Sequence, residues 1–283
     1  MRTKHYRFGL IGFPVSYSLS PCIHKAALES VGLQGEYNLI STPPADFDRT
    51  LETLCQEGYC GFNVSLPYRV NITYMLPEVK ELVTYSGAVS TVKILKKGVM
   101  VGYNTDVHGF ASALPCDVCG KKAAVLGTGG AARAICLALI KMGISKIDVY
   151  SRDTQKASGL FMLMEARFNH VELQLCSYKD TDRLADVCIL VNASPVGLKD
   201  YPHCASLLNN KDLKKLPPDA VVYDVIYNPT ETELLRNAKK IGLKTQNGLD
   251  MLVRQAAKSF NIWTDKEPDI EHMKQAALNE LAA

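Results

Sequence analysis

A glycine-rich turn in the middle of the chain restricts the fold more than any other feature. The apolar run Ala123-Ala-Val-Leu leads directly into Gly127-Thr-Gly-Gly, and an alanine-rich stretch from Ala131 to Met142 follows, ended by Gly143. A buried strand, a tight turn and a helix in immediate succession are typical of a doubly wound α/β sheet. Glycines let the backbone approach a pyrophosphate, whose charge faces the N–H groups at the helix start. The predicted pyrophosphate contacts are Gly127, Thr128, Gly129, Gly130 and Ala131.

Strand-like and helix-like segments alternate on both sides of this turn. Strands are predicted at residues 6–12, 37–40, 61–65, 123–126, 147–150, 187–191 and 221–225, and helices at 21–31, 46–56 and 131–142. The pattern breaks around residues 113–121, and we place a linker near residues 107–120. This organisation predicts an α/β protein of two domains, an N-terminal domain with a mostly parallel sheet and a Rossmann-type doubly wound domain.

The residues after the strand that ends at Tyr150 bear on the choice of dinucleotide. An NAD site usually has an acidic residue about 20 residues after the glycine turn, where it binds the ribose 2′-hydroxyl. Ser151 stands at that position here, and Arg152 and Lys156 supply cations for a 2′-phosphate. We therefore predict NADP, with NAD left open because Asp153 is also present.

Composition excludes several classes of partner. A net charge of +3 is too small for a nucleic-acid surface, and we find no apolar run long enough to span a membrane. Nine cysteines scattered over 283 residues indicate reduced thiols and a cytoplasmic protein. Cys116 and Cys119 have no second ligand pair, so no metal site is predicted.

Eight motifs occur in an order that resembles the shikimate dehydrogenase family, including its quinate and aminoshikimate relatives. They are residues 9–24 (GLIGFPVSYSLSPCIH), 61–69 (GFNVSLPYR), 87–91 (GAVST), 102–106 (GYNTD), 127–133 (GTGGAAR), 192–197 (NASPVG), 224–229 (DVIYNP) and 248–255 (GLDMLVRQ). The resemblance implies a discontinuous substrate domain of residues 1–107 and 243–283, and a cofactor domain of residues 108–242.

The resemblance also implies roles for individual side chains. The implied substrate contacts are Ser18, Ser20, Asn63, Ser65, Ser90, Tyr227 and Gln255. The implied further cofactor contacts are Asn192, Ser194, Val225 and Gly248. Independently of the family, Ser20 before Pro21 is suited to cap a helix.

Two positions depart from the family pattern. Arg69 occupies the position of the catalytic lysine, and Ser90 replaces an asparagine, whereas the catalytic Asp106 is retained. Arginine cannot exchange a proton near neutral pH, so proton transfer is expected to pass to Asp106. The implied activity is NADP-dependent reduction of 3-dehydroshikimate to shikimate in aromatic amino-acid biosynthesis, by a monomer or homodimer. The alternatives are a dehydrogenase of quinate, aminoshikimate or another cyclic alcohol, and a catalytically weakened ligand-binding protein.

Overall fold

Two six-stranded sheets organise the chain, and each belongs to one of two structural units. The computed structural model describes residues 4–155, 164–198 and 206–283. The first unit comprises Met1–Gly109 and Val253–Ala283, and the second comprises Phe110–Leu252. Among the described residues, no helix is long and apolar enough to cross a membrane.

The first unit is built mainly from the N-terminal third of the chain. Its strands are β1 (His5–Gly12), β2 (Gln34–Ser41), β3 (Gly61–Val64), β4 (Glu78–Val79), β5 (Thr91–Ile94) and β6 (Met100–Tyr103). Its helices are α1 (Ser20–Ser30), α2 (Phe47–Gln56), α3 (Glu81–Ser86) and the start of α4 (Asp106–Ala113). The strand order is β2-β1-β3-β5-β6-β4. Pairings β1–β2, β1–β3 and β4–β6 are parallel, and β3–β5 and β5–β6 are antiparallel. The predicted mostly parallel sheet is confirmed.

The second unit is a doubly wound sheet. Its strands are β7 (Lys122–Leu126), β8 (Lys146–Ser151), β9 (Glu172–Ser177), β10 (Val187–Asn192), β11 (Val221–Asp224) and β12 (Lys244–Gln246). Helices α5 (Gly130–Lys141), α6 (Asn210–Leu213) and α7 (Glu233–Lys240) connect some of them. The strand order is β12-β11-β10-β7-β8-β9, and every pairing is parallel. The order reverses between β7 and β10, where such sheets bind nucleotides. The Rossmann-type prediction is confirmed.

The C-terminal helices complete the core of the first unit. They are α8 (Leu249–Thr264) and α9 (Ile270–Ala282). Trp263 of α8 stacks on Phe8 with ring centroids 4.6 Å apart, and its indole N–H donates to the Val92 carbonyl at 2.9 Å. A Cβ at Gly61 would overlap the indole nitrogen, so only glycine leaves room for this ring.

The structure places the borders between the units differently from the sequence analysis. Helix α4 occupies residues 106–113, so the first half of the predicted linker at 107–120 is helical. Strand β12 pairs with β11, which puts residues 243–252 in the second unit rather than in the substrate domain. Both chain crossings therefore lie inside helices, α4 and α8.

Candidate active site

An arginine–aspartate pair lies beyond the end of β3 in the first unit. Asp106 is the first residue of α4, where the helix dipole favours a negative charge. Arg69 Nη1 donates to Asp106 Oδ2, and Arg69 Nε donates to the Val64 carbonyl at 2.9 Å. The Asp106 side chain is only 3% exposed and that of Arg69 is 21% exposed. The ion pair is therefore largely buried, with its arginine end reaching solvent.

The unused hydrogen-bonding groups of this pair define what it can do. A guanidinium has five N–H donors. Val64 and Asp106 take one each, and no other described residue accepts from Arg69, so three donors stay open. Asp106 Oδ1 accepts no hydrogen bond within the described chain. The pair can thus donate to a developing oxyanion and accept a proton beside it.

Two serines lie at the start of α1 in the same unit. Ser18 Oγ donates to Ser20 Oγ at 3.0 Å and accepts from the Ser20 N–H at 3.2 Å. Leu19 occupies the N-cap position without a side-chain capping bond, so the prediction that Ser20 caps the helix is wrong. The physical reason is that the helix begins one residue early, and the Ser20 hydroxyl is engaged by Ser18.

Ser65 lies next to the same loop. Its N–H donates to the Ile11 carbonyl at 2.8 Å, which continues the pairing of β1 and β3 beyond the strand ends. A Cβ at Gly12 would lie 2.9 Å from the Ser65 Cβ, so the two strand ends come into close contact. This approach brings Ser65 beside the segment that leads to Ser18 and Ser20.

A buried group of hydroxyls, here called the hydroxyl cluster, lies behind these residues. It consists of Ser90, Thr91, Thr105 and Ser259. Thr91 Oγ1 lies 2.8 Å from both Thr105 Oγ1 and Ser259 Oγ. Ser90 Oγ accepts from the Thr105 N–H at 2.8 Å and lies 3.1 Å from its hydroxyl. Ser90, expected to contact substrate, thus bonds to the residue that precedes Asp106.

Asn63 is tied to this cluster from the other side. Its Nδ2 donates to Thr91 Oγ1 and Ser259 Oγ, both at 2.9 Å, and its Oδ1 accepts from the Tyr37 hydroxyl at 2.9 Å. Gln255 of α8 joins through its Oε1, which accepts from Thr105 Oγ1 at 3.4 Å. Asn63, Ser90 and Gln255 were predicted from the sequence as substrate contacts, whereas Thr91, Thr105 and Ser259 were not predicted. Thr91 and Thr105 lie within two of the family motifs, residues 87–91 and 102–106, so these motifs could have pointed to them. Ser259 lies outside every motif, and its position four residues after Gln255, one helical turn away, is the one feature that could have pointed to it.

His24 packs against the same region from α1. Its ring lies 4.3 Å from the Tyr37 ring and nearly parallel to it, and 5.3 Å from that of Trp263. Burial disfavours the imidazolium and lowers the pKa of His24 to about 3. His24 is therefore a neutral packing residue at neutral pH.

In the second unit the glycine turn has the geometry that a pyrophosphate requires. Gly127 has φ +112°, and a Cβ there would lie 3.2 Å from the Ala193 carbonyl oxygen. Gly129 precedes α5, whose first turn has no side-chain cap and no acidic residue. Outside Gly129 and its two chain neighbours, no atom of the described chain lies within 4 Å of an ideal Cβ at Gly129. The open space and the uncapped N–H groups of Gly130 and Ala131 fit a bound diphosphate.

The residues predicted to bind the adenosine ribose and its 2′-phosphate lie at the end of β8 and directly after it. Ser151 Oγ donates to the Asp153 carbonyl at 2.9 Å and accepts from its N–H at 3.2 Å, which forms a tight turn. Arg152, inside this turn, is exposed. Lys156 lies outside the described residues.

The remaining predicted cofactor residues lie at or just after the ends of β10, β11 and β12. Asn192 Oδ1 accepts from the Ser194 N–H and hydroxyl at 3.1 and 2.7 Å. A Cβ at Gly248 would overlap the Val225 carbonyl oxygen, so these two backbones touch. The structure thus brings Val225 and Gly248 together.

Tyr227, predicted to contact substrate, is half-buried in the second unit, whereas the other predicted substrate residues belong to the first.

Asp224, at the end of β11, was quoted in a motif but given no role. Its carboxylate is fully buried and accepts three hydrogen bonds from within the unit. Burial raises the pKa of Asp224 to about 6, against the opposing effect of those donors.

Comparison with known proteins identifies the family, and the two matching family models fall mainly on the first unit. Residues 10–92 match the shikimate dehydrogenase substrate binding domain, and residues 248–278 match the shikimate 5′-dehydrogenase C-terminal domain. The NADP(+) shikimate dehydrogenase of Caldanaerobacter subterraneus subsp. tengcongensis is 36% identical over 277 residues, which cover 97% of each chain.

Solved structures give the same result. A shikimate dehydrogenase in complex with NADP+ superposes with a TM-score of 0.88 at 36% identity, covering 98% of this chain and 96% of that one. The shikimate 5-dehydrogenase of Thermus thermophilus, in complex with NADP(H) and shikimate, has a TM-score of 0.84 at 34% identity, covering 97% and 99%. On motif order, fold and full-length similarity, this chain belongs to the shikimate dehydrogenase family.

Proposed function

We propose that this chain catalyses the reversible, NADP-dependent reduction of 3-dehydroshikimate to shikimate. The observation that carries the proposal is the largely buried Arg69–Asp106 pair, which presents open donors beside an open carboxylate oxygen. Full-length similarity to NADP(+) shikimate dehydrogenases supports the choice of substrate and cofactor. Eight free cysteines among the described residues suit a reducing compartment, and the cytoplasm is the proposed location.

The proposed roles in substrate binding follow from the donors that each side chain can offer. The Ser20 O–H donates to no described residue, and Ser18 offers its O–H once it rotates away from Ser20 Oγ. Both hydroxyls then bind the carboxylate of the cyclohexene ring, with Ser65 beside them. Gln255, whose Oε1 accepts from Thr105, directs its amide N–H groups toward a substrate hydroxyl. Asn63 and Ser90 act by fixing the hydroxyl cluster, in addition to any contact they make with substrate.

The proposed chemistry at the reacting oxygen involves two residues. When bound, NADP+ would supply the hydride acceptor for the carbinol carbon of shikimate. Asp106 accepts the hydroxyl proton, and Arg69 donates hydrogen bonds to the oxygen as negative charge develops. In the reverse direction Asp106 returns the proton. Arg69 stays charged throughout, because arginine keeps its proton in proteins.

Proposed cofactor contacts lie in the second unit. The turn Gly127–Ala131 holds the pyrophosphate, and Ser151, Arg152 and Lys156 recognise the adenosine ribose with its 2′-phosphate. Asn192, Ser194, Val225 and Gly248 surround the nicotinamide end. The preference for NADP over NAD depends on Arg152, whose exposed cation suits a phosphate dianion.

Steady-state oxidation of shikimate and quinate with NADP+ and NAD+, followed by the absorbance of the reduced nicotinamide, tests the proposal. We expect turnover of shikimate with NADP+ and a loss of at least about 100-fold in Asp106→Ala. Faster turnover of quinate than of shikimate would assign the protein to a quinate-type activity instead. Cofactor binding without turnover of either alcohol would contradict the enzymatic assignment.

A further inference from the structure

One buried carboxylate joins the two loops that carry proposed cofactor contacts. Asp224 Oδ1 accepts from Asn192 Nδ2 at 3.0 Å and from the Ile226 N–H at 3.1 Å. Its Oδ2 accepts from Thr232 Oγ1 at 2.8 Å. These donors belong to the end of β10, the segment after β11 and the N-cap of α7. A single side chain therefore bonds three parts of the chain.

The bond to Asn192 fixes the loop after β10. Because Nδ2 donates to Asp224 and to the Val196 carbonyl at 3.0 Å, Oδ1 is free to accept both donors of Ser194. Ser194 Oγ in turn accepts from the Val196 N–H at 3.2 Å. This loop lies against the glycine turn, since a Cβ at Gly127 would be 3.3 Å from the Ser194 nitrogen. The orientation of the Asn192 side-chain amide thus fixes the loop that lies beside the proposed pyrophosphate site.

The bonds to Ile226 and Thr232 fix the segment after β11 at both ends. The Val225 N–H donates to the Asn192 carbonyl at 3.0 Å, and the Val225 carbonyl lies against Gly248. Thr232 Oγ1, while donating to Asp224, also accepts from the Leu235 N–H at 3.3 Å and so caps α7. Residues 225–232, which include Tyr227, are therefore held by the same carboxylate.

We propose that Asp224 is a positioning residue that sets both loops at the cofactor edge of the second sheet and thereby places the nicotinamide end of NADP(H). The inference rests on the proposed function, because it assigns the effect of the loops to that cofactor. Asp224 itself contacts neither substrate nor cofactor in this account. It acts through Asn192, Ser194 and the Val225–Tyr227 backbone.

A matched control exists in the same sheet. Asp148 of β8 is also fully buried and accepts from Arg183 Nε and Nη2 at 3.0 and 2.8 Å, with Lys122 Nζ 3.0 Å away. None of these partners belongs to the two loops. Asp148→Asn removes a buried negative charge from the unit without changing the bonds that hold either loop.

The experiment compares the unaltered protein with Asp224→Asn and Asp148→Asn. The KM for NADP+, the KM for shikimate and kcat are measured in shikimate oxidation. Hydrogen exchange of the loops 193–198 and 225–232 is followed by mass spectrometry. We expect Asp224→Asn to raise the KM for NADP+ by about tenfold or more, since charge-assisted bonds are replaced by weaker ones. The KM for shikimate should rise by a smaller factor than that for NADP+, because Tyr227 alone among the predicted substrate contacts lies in a loop that Asp224 holds. Both loops should exchange faster.

Three results would overturn the inference. The first is an unchanged KM for NADP+ with unchanged loop exchange in Asp224→Asn. The second is an equal rise in KM for Asp148→Asn, which would make the effect one of general stability. If Asp224→Asn does not fold, Thr232→Val keeps the carboxylate but removes the bond from Thr232 to Asp224 together with the cap on the Leu235 N–H. An unchanged KM for NADP+ with unchanged loop exchange in Thr232→Val is the third result.

The two proposals fail in different ways. Absence of shikimate turnover by the unaltered protein would contradict the proposed function alone. In that case, the exchange comparison together with a calorimetric titration of NADP+ would still decide whether Asp224 positions the loops.

Discussion

Replacing Arg69 by lysine tests how this chain moves a proton at the reacting oxygen. The guanidinium is held from two sides, by the Val64 carbonyl and by Asp106. It cannot release a proton near neutral pH, so the proton in the unaltered protein passes through Asp106. A lysine ammonium keeps the positive charge beside Asp106 and can also exchange a proton.

The size of the expected effect follows from two opposing terms. A positioned acid or base accelerates a reaction by about 10²–10⁴-fold, and 100-fold corresponds to about 2.7 kcal/mol. Lysine loses the Nε bond to Val64, whose net contribution is about 1 kcal/mol. The balance predicts that Arg69→Lys raises kcat for shikimate oxidation by at least about tenfold.

The assay is kcat as a function of pH with saturating shikimate and NADP+. Arg69→Lys should show an additional pH-dependent limb, because a lysine can release its proton whereas an arginine keeps it. Arg49→Lys, at an exposed position in α2, is the control and should leave kcat unchanged. An unchanged or lower kcat in a stably folded Arg69→Lys protein would refute the reasoning, because arginine would then provide all that this position contributes.

Three further changes separate binding from folding. Gly129→Ala should leave Tm unchanged, since no described atom lies near the new methyl, but should raise the KM for NADP+ by about tenfold or more, measured kinetically. Arg152→Ala should raise the KM for NADP+ about tenfold and leave that for NAD+ within about twofold; an equal loss for both would exclude a 2′-phosphate contact. His24→Phe should flatten the pH dependence of unfolding. The unfolded imidazole binds a proton below about pH 6.5, and the folded one only near pH 3, so the native protein loses stability as pH falls through that interval, by roughly 5 kcal/mol. Denaturant titrations of both proteins between pH 7 and 4, where about 3 kcal/mol of this loss should appear, check this, and parallel curves would contradict it.

The order of strands and helices around the glycine turn was predictable because those elements are long and strongly apolar. The run at residues 123–126 and the alanine-rich helix after it appear within one residue of their predicted limits as β7 and α5. Strands β5 and β6 were not predicted. Each has only four residues; β5 pairs antiparallel with β3, about 30 positions earlier, and β6 pairs antiparallel with β5.

The boundary errors have similar local causes. β12 consists of Lys244, Thr245 and Gln246, which contain no apolar residue, so only the pairing with β11 reveals a strand. The predicted linker was inferred from Pro115, the nearby cysteines and Gly120, and these begin only after α4 has ended.

The candidate site was predictable where a motif carries it and unpredictable where distant hydroxyls meet. Asp106 and Arg69 were named from the sequence, but their ion pair joins residues 37 positions apart. The bond between Thr91 and Ser259 spans 168 positions. No local spacing encodes such a contact, because it depends on α8 returning to the first unit.

The return of α8 has a consequence for the synthesis of this protein on the ribosome. The second unit, Phe110–Leu252, is one continuous segment, and its sheet can form as soon as that segment has emerged. The first unit needs Trp263 to cover Phe8 and to bond the Val92 carbonyl. At about 5–20 residues per second, the first 109 residues wait roughly 7–30 s for that tryptophan. The part of the chain that is made first is therefore finished last, and its apolar strands depend on chaperones or transient collapse in the interval.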